Sequence, residues 1–349
     1  MKKSIVRTAA IAISIATLVG AVSAAPVISA RSAIVMDADT GRVLWSYRSD
    51  SKSLIASTTK IMTALVVIEE CMLDAEVKVP KEAVGVEGSS IDLKTGEIIT
   101  VEALLYGMML HSGNDAATAL ALFCGGDLKN FVKKMNDKAA ELELEQTSFD
   151  NPHGLDSDDN YSTAYDLAKL ASCAMRDETF KTIVSTKTAT FDKRTFTNHN
   201  KLLWRCEGAI GVKTGYTMAA GRILVSCVER NGRCLVAVTI DDPNDWRDHC
   251  ALMDHGFGSY RNIVHASAGS EFIVPVIGGG DDISKAVLKE DLIYPVSDTE
   301  CVTIVCSLPT FVYPPLVAGD RAGEVVVYID GVRAAARPLY WQFTVLEGA

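Results

Sequence analysis

Hydrophobic and polar residues alternate through "SAIVMDADTGRVLWSYRSD" (32–50) and break at Asp39-Thr40-Gly41, a pattern that predicts two strands joined as a hairpin. The period then changes. From Ser57 to about Glu70 an apolar run predicts a helix, "TVEALLYGMMLH" (100–111) predicts a second, and "DAATALALF" (115–123) a third after the polar break Ser112-Gly113-Asn114. Residues 127–144 and 163–176 have amphipathic helical spacing, with the turn-rich "NPHGLDSDDN" between them. Strand-like runs follow in "AIGVKTGYT", "GRILVSCVER" and "RCLVAVTID", and a helix is predicted around 245–256. Strands at both ends with helices between predict an α+β domain whose outer strands meet in one sheet. From about residue 265 the pattern turns to glycine- and proline-punctuated β segments ("EFIVPVIGGGDD", "ECVTIVCSL", "EVVVYIDGV"), which predict a second, all-β domain.

The first residues carry a different signal. Lys2, Lys3 and Arg7 precede the short apolar run "AAIAISIATLVG" (9–20), and Val22-Ser23-Ala24 offers small residues for cleavage. This is the pattern of a secretory signal peptide over 1–24, cut after Ala24. A membrane anchor would need about 20 apolar residues. The expected organisation is therefore 1–24 signal peptide, 25–262 α+β domain and 263–349 β-rich domain, in an exported protein of the cell wall or periplasmic space.

The chain has 349 residues, 34 basic against 44 acidic, for a net charge of −10. The leader contains three of the bases and no acid, so its removal takes the charge from −10 to about −13. Nucleic acid is excluded as a partner, because phosphate binding needs a basic face. The C-terminus, "YWQFTVLEGA", has no basic amphipathic pattern, so no membrane anchor is expected after cleavage. Nine cysteines is an odd number in an exported chain, and their spacing matches neither a small disulfide scaffold nor a zinc site. In a hairpin turning at Asn231-Gly232, Cys227 and Cys234 are diagonal rather than opposed; most of the nine are expected to be small buried hydrophobes.

Candidate chemistry begins with Ser57 and Lys60, three apart on one helical face. A serine at a helix start is an ordinary N-cap, and a lysine can run its stem along apolar surface. A second Ser-x-x-Lys, Ser49 to Lys52, lies in a polar stretch without helical pattern. The pair gains meaning from two partners in order: Ser112-Gly113-Asn114 at a break between helices, and Lys213-Thr214-Gly215 in the first of three consecutive strands. Another Lys-Thr-Gly at 94–96 precedes Ser112 and reads as a turn before a helix.

The ordered set Ser-x-x-Lys, Ser-x-Asn and Lys-Thr-Gly resembles the penicillin-recognising serine enzymes. With "MDADTGRVLW", "ASTTKIMTAL", "LLYGMMLHSGNDAATALA", "FDNPHGLD", "NHNKLLW" and "GVKTGYT", the chain is similar to the low-molecular-mass penicillin-binding proteins, the serine-type D-alanyl-D-alanine carboxypeptidases, over about residues 32–260. The resemblance implies a β-lactamase/DD-peptidase-like domain, an antiparallel sheet flanked by helices with a helical subdomain, and a small C-terminal all-β domain. It implies removal of the terminal D-alanine from peptidoglycan stem pentapeptides through an acyl-enzyme, and covalent inhibition by β-lactams, without cofactor or metal.

Ser57 is then the nucleophile and Lys60 its base, with burial and the Lys213 cation lowering the amine's pKa. Ser112 relays the proton to the leaving amine and Asn114 offers its amide to the substrate backbone. Lys213 and Thr214 take the terminal carboxylate, and Gly215 leaves room for the peptide beside the strand. Backbone N–H groups of Ser57 and Tyr216 form the oxyanion hole.

His111, His153 and His199 lie near the motifs, although the chemistry needs no imidazole; His199 is the candidate supporting donor. Met108 and Met109 read as core, and Asp156, Asp158 and Asp159 as a solvated loop. Two departures stand out. Ile210 occupies a place where the family commonly has a polar residue, and Arg247 is the nearest candidate for an arginine that relatives place after the last core strand. A class A β-lactamase would need a deacylating glutamate in a Glu-x-x-Leu-Asn loop, where this chain has "NPHGLD". A penicillin-binding sensor would need a membrane-spanning signalling domain.

Overall fold

The computed structural model describes residues 8–15 and 25–348. They divide into two units, one over Ala25–Phe257 and one containing Gly258–Ala349 with the N-terminal segment. Most of the expected leader lies outside the described residues. Its Thr8–Ile15 forms a strand antiparallel to Val302–Pro309, which satisfies the backbone of an apolar stretch by edge pairing.

In the first unit, five antiparallel strands run in the order Ala209–Thr217, Gly221–Arg230, Arg233–Ile240, Ser32–Asp37, Val43–Tyr47. The chain's early hairpin thus joins its late strands, as the pattern requires. Ser32–Asp37 is buried throughout because helices cover both faces. Consecutive residues show this. Met36 meets Ser172 of α5 (Ala164–Ala174), whereas a Cβ on Gly256 of α8 (Asp245–Ser259) would come 3.1 Å from Val35 Cγ1 and 2.7 Å from Leu235 Cδ1. Only a bare Cα lets α8 pack this closely.

Asn231 (φ 52°) and Gly232 (φ 72°) make the two-residue turn that favours Asn-Gly. The resulting register sets Cys227 opposite Val236 and Glu229 opposite Cys234, so the two thiols are diagonal, 3.6 Å apart.

The helical part holds α1 (Lys60–Glu70), α2 (Val101–Leu110), α3 (Asn114–Gly125), α4 (Leu128–Glu141), α5, α6 (Glu178–Ser185) and the short α7 (Leu202–Arg205). Thr100, Asp127, Thr163 and Asp177 cap α2, α4, α5 and α6 by accepting from backbone N–H groups three residues on. The face of α1 from Lys60 to Val67 is wholly buried, which makes it the central helix of this part. For the region 178–206 the pattern predicts no helix or strand. The region contains α6, the hairpin Thr188–Phe191/Arg194–Thr197 and α7, elements too short to stand without tertiary contacts.

His249 on α8 is fully buried, and its two ring nitrogens face Ser226 Oγ at 2.6 Å and Thr239 Oγ1 at 2.9 Å. Burial pulls its pKa down to about 3, and burial together with the Lys60 charge pulls that of His153 down to about 4. Unfolded histidines titrate at about 6.5, so on acidification the unfolded chain takes up protons that the folded chain refuses. Their contribution is full above that value and is lost as the pH falls towards 4 and then 3. The melting temperature is expected to drop over this interval, and less steeply in His249→Gln, whose side chain takes no proton. Equal slopes would assign the acid loss to other groups.

The second unit is built from β structure, as expected. Its main sheet runs Thr8–Ile15, Val302–Pro309, Arg321–Ile329, Val332–Trp341, Ile283–Leu288, Glu271–Pro275, and Tyr260–Ala266 pairs with Leu292–Ser297. Asp330 (φ 51°) and Gly331 (φ 81°) close the tight turn between Ile329 and Val332. Val274, Leu288, Val325, Val327, Leu339 and Trp341 lie in its core.

Candidate active site

Ser57 stands one turn ahead of α1, in the 3-10 helix Ala56–Thr59, and no side-chain capping bond forms at the start of either helix. The serine is therefore not an N-cap. In a 3-10 turn residues i and i+3 eclipse, which brings Lys60 Nζ to 3.0 Å from Ser57 Oγ. Lys60 is 0% exposed. Its Nζ also donates to Asn114 Oδ1 and the His153 carbonyl, both at 2.6 Å. Burial first, then the Lys213 charge, pushes its pKa well below 10.5. A neutral amine has two N–H groups, which those two acceptors use, so its lone pair is left facing the Ser57 hydroxyl.

The decoys are elsewhere. Lys52 lies over the Tyr161 ring, 4.5 Å from its centroid, and Gly96 (φ 83°) belongs to a turn whose N–H reaches Val79 O at 2.8 Å.

The loop "FDNPHGLD" presents the His153 carbonyl. Asn151 Oδ1 accepts from Gly154 N at 2.7 Å and His153 N at 3.3 Å, and Thr63 Oγ1 donates to Pro152 O at 2.6 Å. Gly154 has φ 89°, and a Cβ there would lie 1.9 Å from Ala56 O, so this loop presses on the turn that carries Ser57. His153 serves through its backbone.

The break between α2 and α3 holds Ser112 at φ 65°. Ser112 Oγ accepts from Lys213 Nζ at 3.1 Å, and Lys213 also donates to Thr214 O at 2.9 Å. Asn114 has both ends of its amide engaged, Oδ1 by Lys60 and Nδ2 by Glu87 O at 2.5 Å. It faces the lysine rather than open space. The next residue, Asp115, accepts from Ile91 N, Leu93 N and Ser90 Oγ, pinning the adjacent loop.

Lys213, Thr214, Gly215 and Tyr216 lie on the edge strand Ala209–Thr217. A Cβ on Gly215 would come within 3.2–3.3 Å of Ile55 O, Ala56 Cβ and Ser57 N. The glycine thus fits tightly against the serine's own turn, a reason different from the expected space for peptide.

A cleft of about 370 Å³ opens here, lined by Ser57, Ser112, Thr214, Gly215 and Tyr216. Lys60, Asn114 and Lys213 are buried behind it. Lys213 is 1% exposed, and burial pulls its pKa down to about 7. Its ammonium sits behind Thr214 rather than in the open cleft.

The cations on the cleft wall are Lys201 and Arg222, neither anticipated. Arg222 lies opposite Tyr216 in strand register. Its Nε and Nη2 bind Asp245 at 3.1 and 2.8 Å, and the guanidinium lies 5.8 Å from the Trp246 ring. The cross-strand register was the available signal; Asp245, 23 residues on, gave none. Arg247 instead pairs with Asp248 at 2.8 Å.

His199 lines the cleft with its ring 4.8 Å from that of His111. Burial, then His111 and Lys213, lowers its pKa. Met108 and Met109 are core, and Ile210 packs against the core. Asp156, Asp158 and Asp159 are all exposed, and Asp156 also accepts from Thr217 Oγ1 at 2.8 Å, which ties its loop to the edge strand. Among the described residues no cluster of three His, Cys, Asp or Glu side chains could hold a metal ion, and no helix is long and apolar enough to cross a membrane.

A serine facing a buried lysine beside a strand edge and an open cleft defines a serine peptidase, a hydrolase. Residues 20–244 match the family model described as D-alanyl-D-alanine carboxypeptidase, peptidase S11. The D-alanyl-D-alanine carboxypeptidase DacF of Bacillus subtilis is 38% identical over 245 residues, 66% of this chain, and the match spans 63% of that relative's length. DacC of Escherichia coli, also a D-alanyl-D-alanine carboxypeptidase, is 32% identical over 351 residues, 93% of this chain and 86% of the relative. Penicillin binding protein 5 from Haemophilus influenzae matches in structure with a TM-score of 0.83 at 30% identity, covering 93% of this chain and all of that one. The chain belongs to the D-alanyl-D-alanine carboxypeptidase family, among the low-molecular-mass penicillin-binding proteins.

Proposed function

We propose that the chain is an exported D,D-carboxypeptidase that removes the terminal D-alanine of peptidoglycan stem pentapeptides through an acyl-enzyme on Ser57. The observation that carries this reading is the buried Lys60 amine, 3.0 Å from the Oγ of Ser57, which itself lines an open cleft. Lys60 takes the serine proton as Oγ attacks the penultimate carbonyl. Asn114 and the His153 carbonyl hold the amine in place. The N–H groups of Ser57 and Tyr216 receive the developing oxyanion; the close approach of Gly215 to Ser57 N supports their being neighbours. Ser112, bonded to Lys213, returns a proton to the leaving D-alanine amine, and water then releases the acyl group.

The substrate carboxylate meets the Thr214 hydroxyl and Arg222. Lys213 acts from behind, on Ser112 and through its charge. The charged, apolar and small-residue pattern of the N-terminal segment supports export.

β-Lactams copy the peptide and acylate the same serine. Among the described residues that line the cleft, the carboxylate of Asp245 is held by Arg222, so it does not stand free to activate water on a penicilloyl ester. Incubation with a diacetylated Lys-D-Ala-D-Ala tripeptide is expected to release D-alanine over many turnovers, while a chromogenic cephalosporin is consumed once per enzyme and then very slowly. Rapid cephalosporin turnover without D-alanine release would replace this reading by a β-lactamase.

A further inference from the structure

Six of the nine cysteines meet in pairs: Cys71 with Cys124, Cys206 with Cys250, and Cys227 with Cys234. The pairs are not equivalent. Cys227 is 0% exposed and lies diagonal to its partner on neighbouring strands, the wrong offset for a relaxed bridge. Cys71 and Cys124 are both held as protonated thiols, chiefly by burial.

Cys206 is different. It ends α7, and its Sγ lies 3.8 Å from Arg230 Nη2, in a guanidinium fixed by Asp254 at 2.9 Å and set 4.9 Å from the Phe257 ring. The hydrogen bond with Cys250 first, and the Arg230 charge after burial's opposing effect, draw its thiol down to about 7, while the same hydrogen bond and burial push the Cys250 thiol up. A thiolate beside a cation and a second thiol is the arrangement of an exchange-competent dithiol. Cys250, on α8, opens on a surface cleft of about 380 Å³ with Trp246 and with Arg205, the residue before Cys206.

The location matters. Trp246 lines both this cleft and the catalytic one. The segment before Cys206 carries His199 and Lys201 into the catalytic cleft, and the helix of Cys250 carries Asp245 and Trp246 into it. We infer that Cys206 and Cys250 form a thiol–disulfide site whose closed form ties the Lys201 wall of the catalytic cleft to the Trp246 wall. The oxidant is an external disulfide. The Cys206 thiolate attacks one of its sulfurs and expels the first thiolate. The Cys250 sulfur, giving up its proton to solvent, then attacks Cys206 Sγ and expels the second. Two protein thiols and one external disulfide thus become one protein disulfide and two external thiols.

The test uses the full chain, oxidised glutathione, alkylation of remaining thiols and peptide mapping by mass spectrometry. A Cys206–Cys250 linked peptide is expected, reversed by dithiothreitol. C250S is expected to accumulate glutathione on Cys206 instead, and Arg230→Met to slow bond formation at neutral but not at alkaline pH. Oxidation is expected to change the acylation rate of the wild type by a fluorescent penicillin at least about threefold, as both walls become restrained. Full alkylation of both cysteines after oxidation, or cross-links spread evenly over all nine, would overturn the site. A complete cross-link with an unchanged acylation rate would overturn its tie to the cleft.

Discussion

Lys60→Ala is expected to lower acylation of Ser57 by about 10²- to 10⁴-fold, for peptide and penicillin alike, the range of a removed general base. Its Nζ is the base candidate 3.0 Å from the hydroxyl, and its burial keeps solvent from standing in for it. The proton transfer belongs to the transition state, so kcat and kcat/KM should fall together. Lys60→Arg is the sharper variant. It keeps a cation at the site but cannot accept a proton at any working pH, so it should be as inactive as alanine. An arginine variant within tenfold of wild type would show that charge, not basicity, is what the site uses.

Arg222→Ala is expected to raise KM about 10- to 100-fold for peptides with a free C-terminal carboxylate, the worth of a lost charge-assisted hydrogen bond. Nε and Nη2 are taken by Asp245, while among the described residues Nη1 has no partner and is available to a carboxylate. Amidating the peptide terminus should remove most of the difference between variant and wild type.

Lys213→Ala should behave differently, because this lysine is buried behind Thr214 and bonded to Ser112. It should slow acylation by both substrates. It also removes a charge that lowers the Lys60 pKa, so the Lys60 pKa rises and the acidic limb of the pH–rate profile moves to higher pH. Rates are measured on both peptides for both variants. Equal losses on carboxylate and amide in Arg222→Ala would remove that residue from substrate binding.

The strands and most helices of the first unit follow from local patterns that their own residues carry. The Asn231-Gly232 turn sets register by backbone conformation alone, so even the diagonal placement of Cys227 and Cys234 was legible. The order of the three motifs likewise singled out Ser57, Lys60, Ser112, Asn114 and Lys213, which the fold brings together.

What escaped depends on contacts distant in sequence. That Lys213 is buried behind its neighbours, that both ends of the Asn114 amide are occupied, and that Gly215 accommodates the Ser57 turn are facts of packing. Arg222 has meaning only beside Asp245 and Trp246, brought to it by α8. The 3-10 turn at Ser57 was read as plain helix; Gly154 and Gly215, which pack against it, are distant from it in sequence.

The central claim is that Ser57, activated by Lys60, is the residue that forms the covalent intermediate. Mass-spectrometric peptide mapping after brief exposure to a fluorescent penicillin tests it most directly. One penicilloyl group is expected per chain, on the peptide containing Ser57, and none in Ser57→Ala. Label on Ser112 or Ser49, or label that survives in Ser57→Ala, would contradict the account.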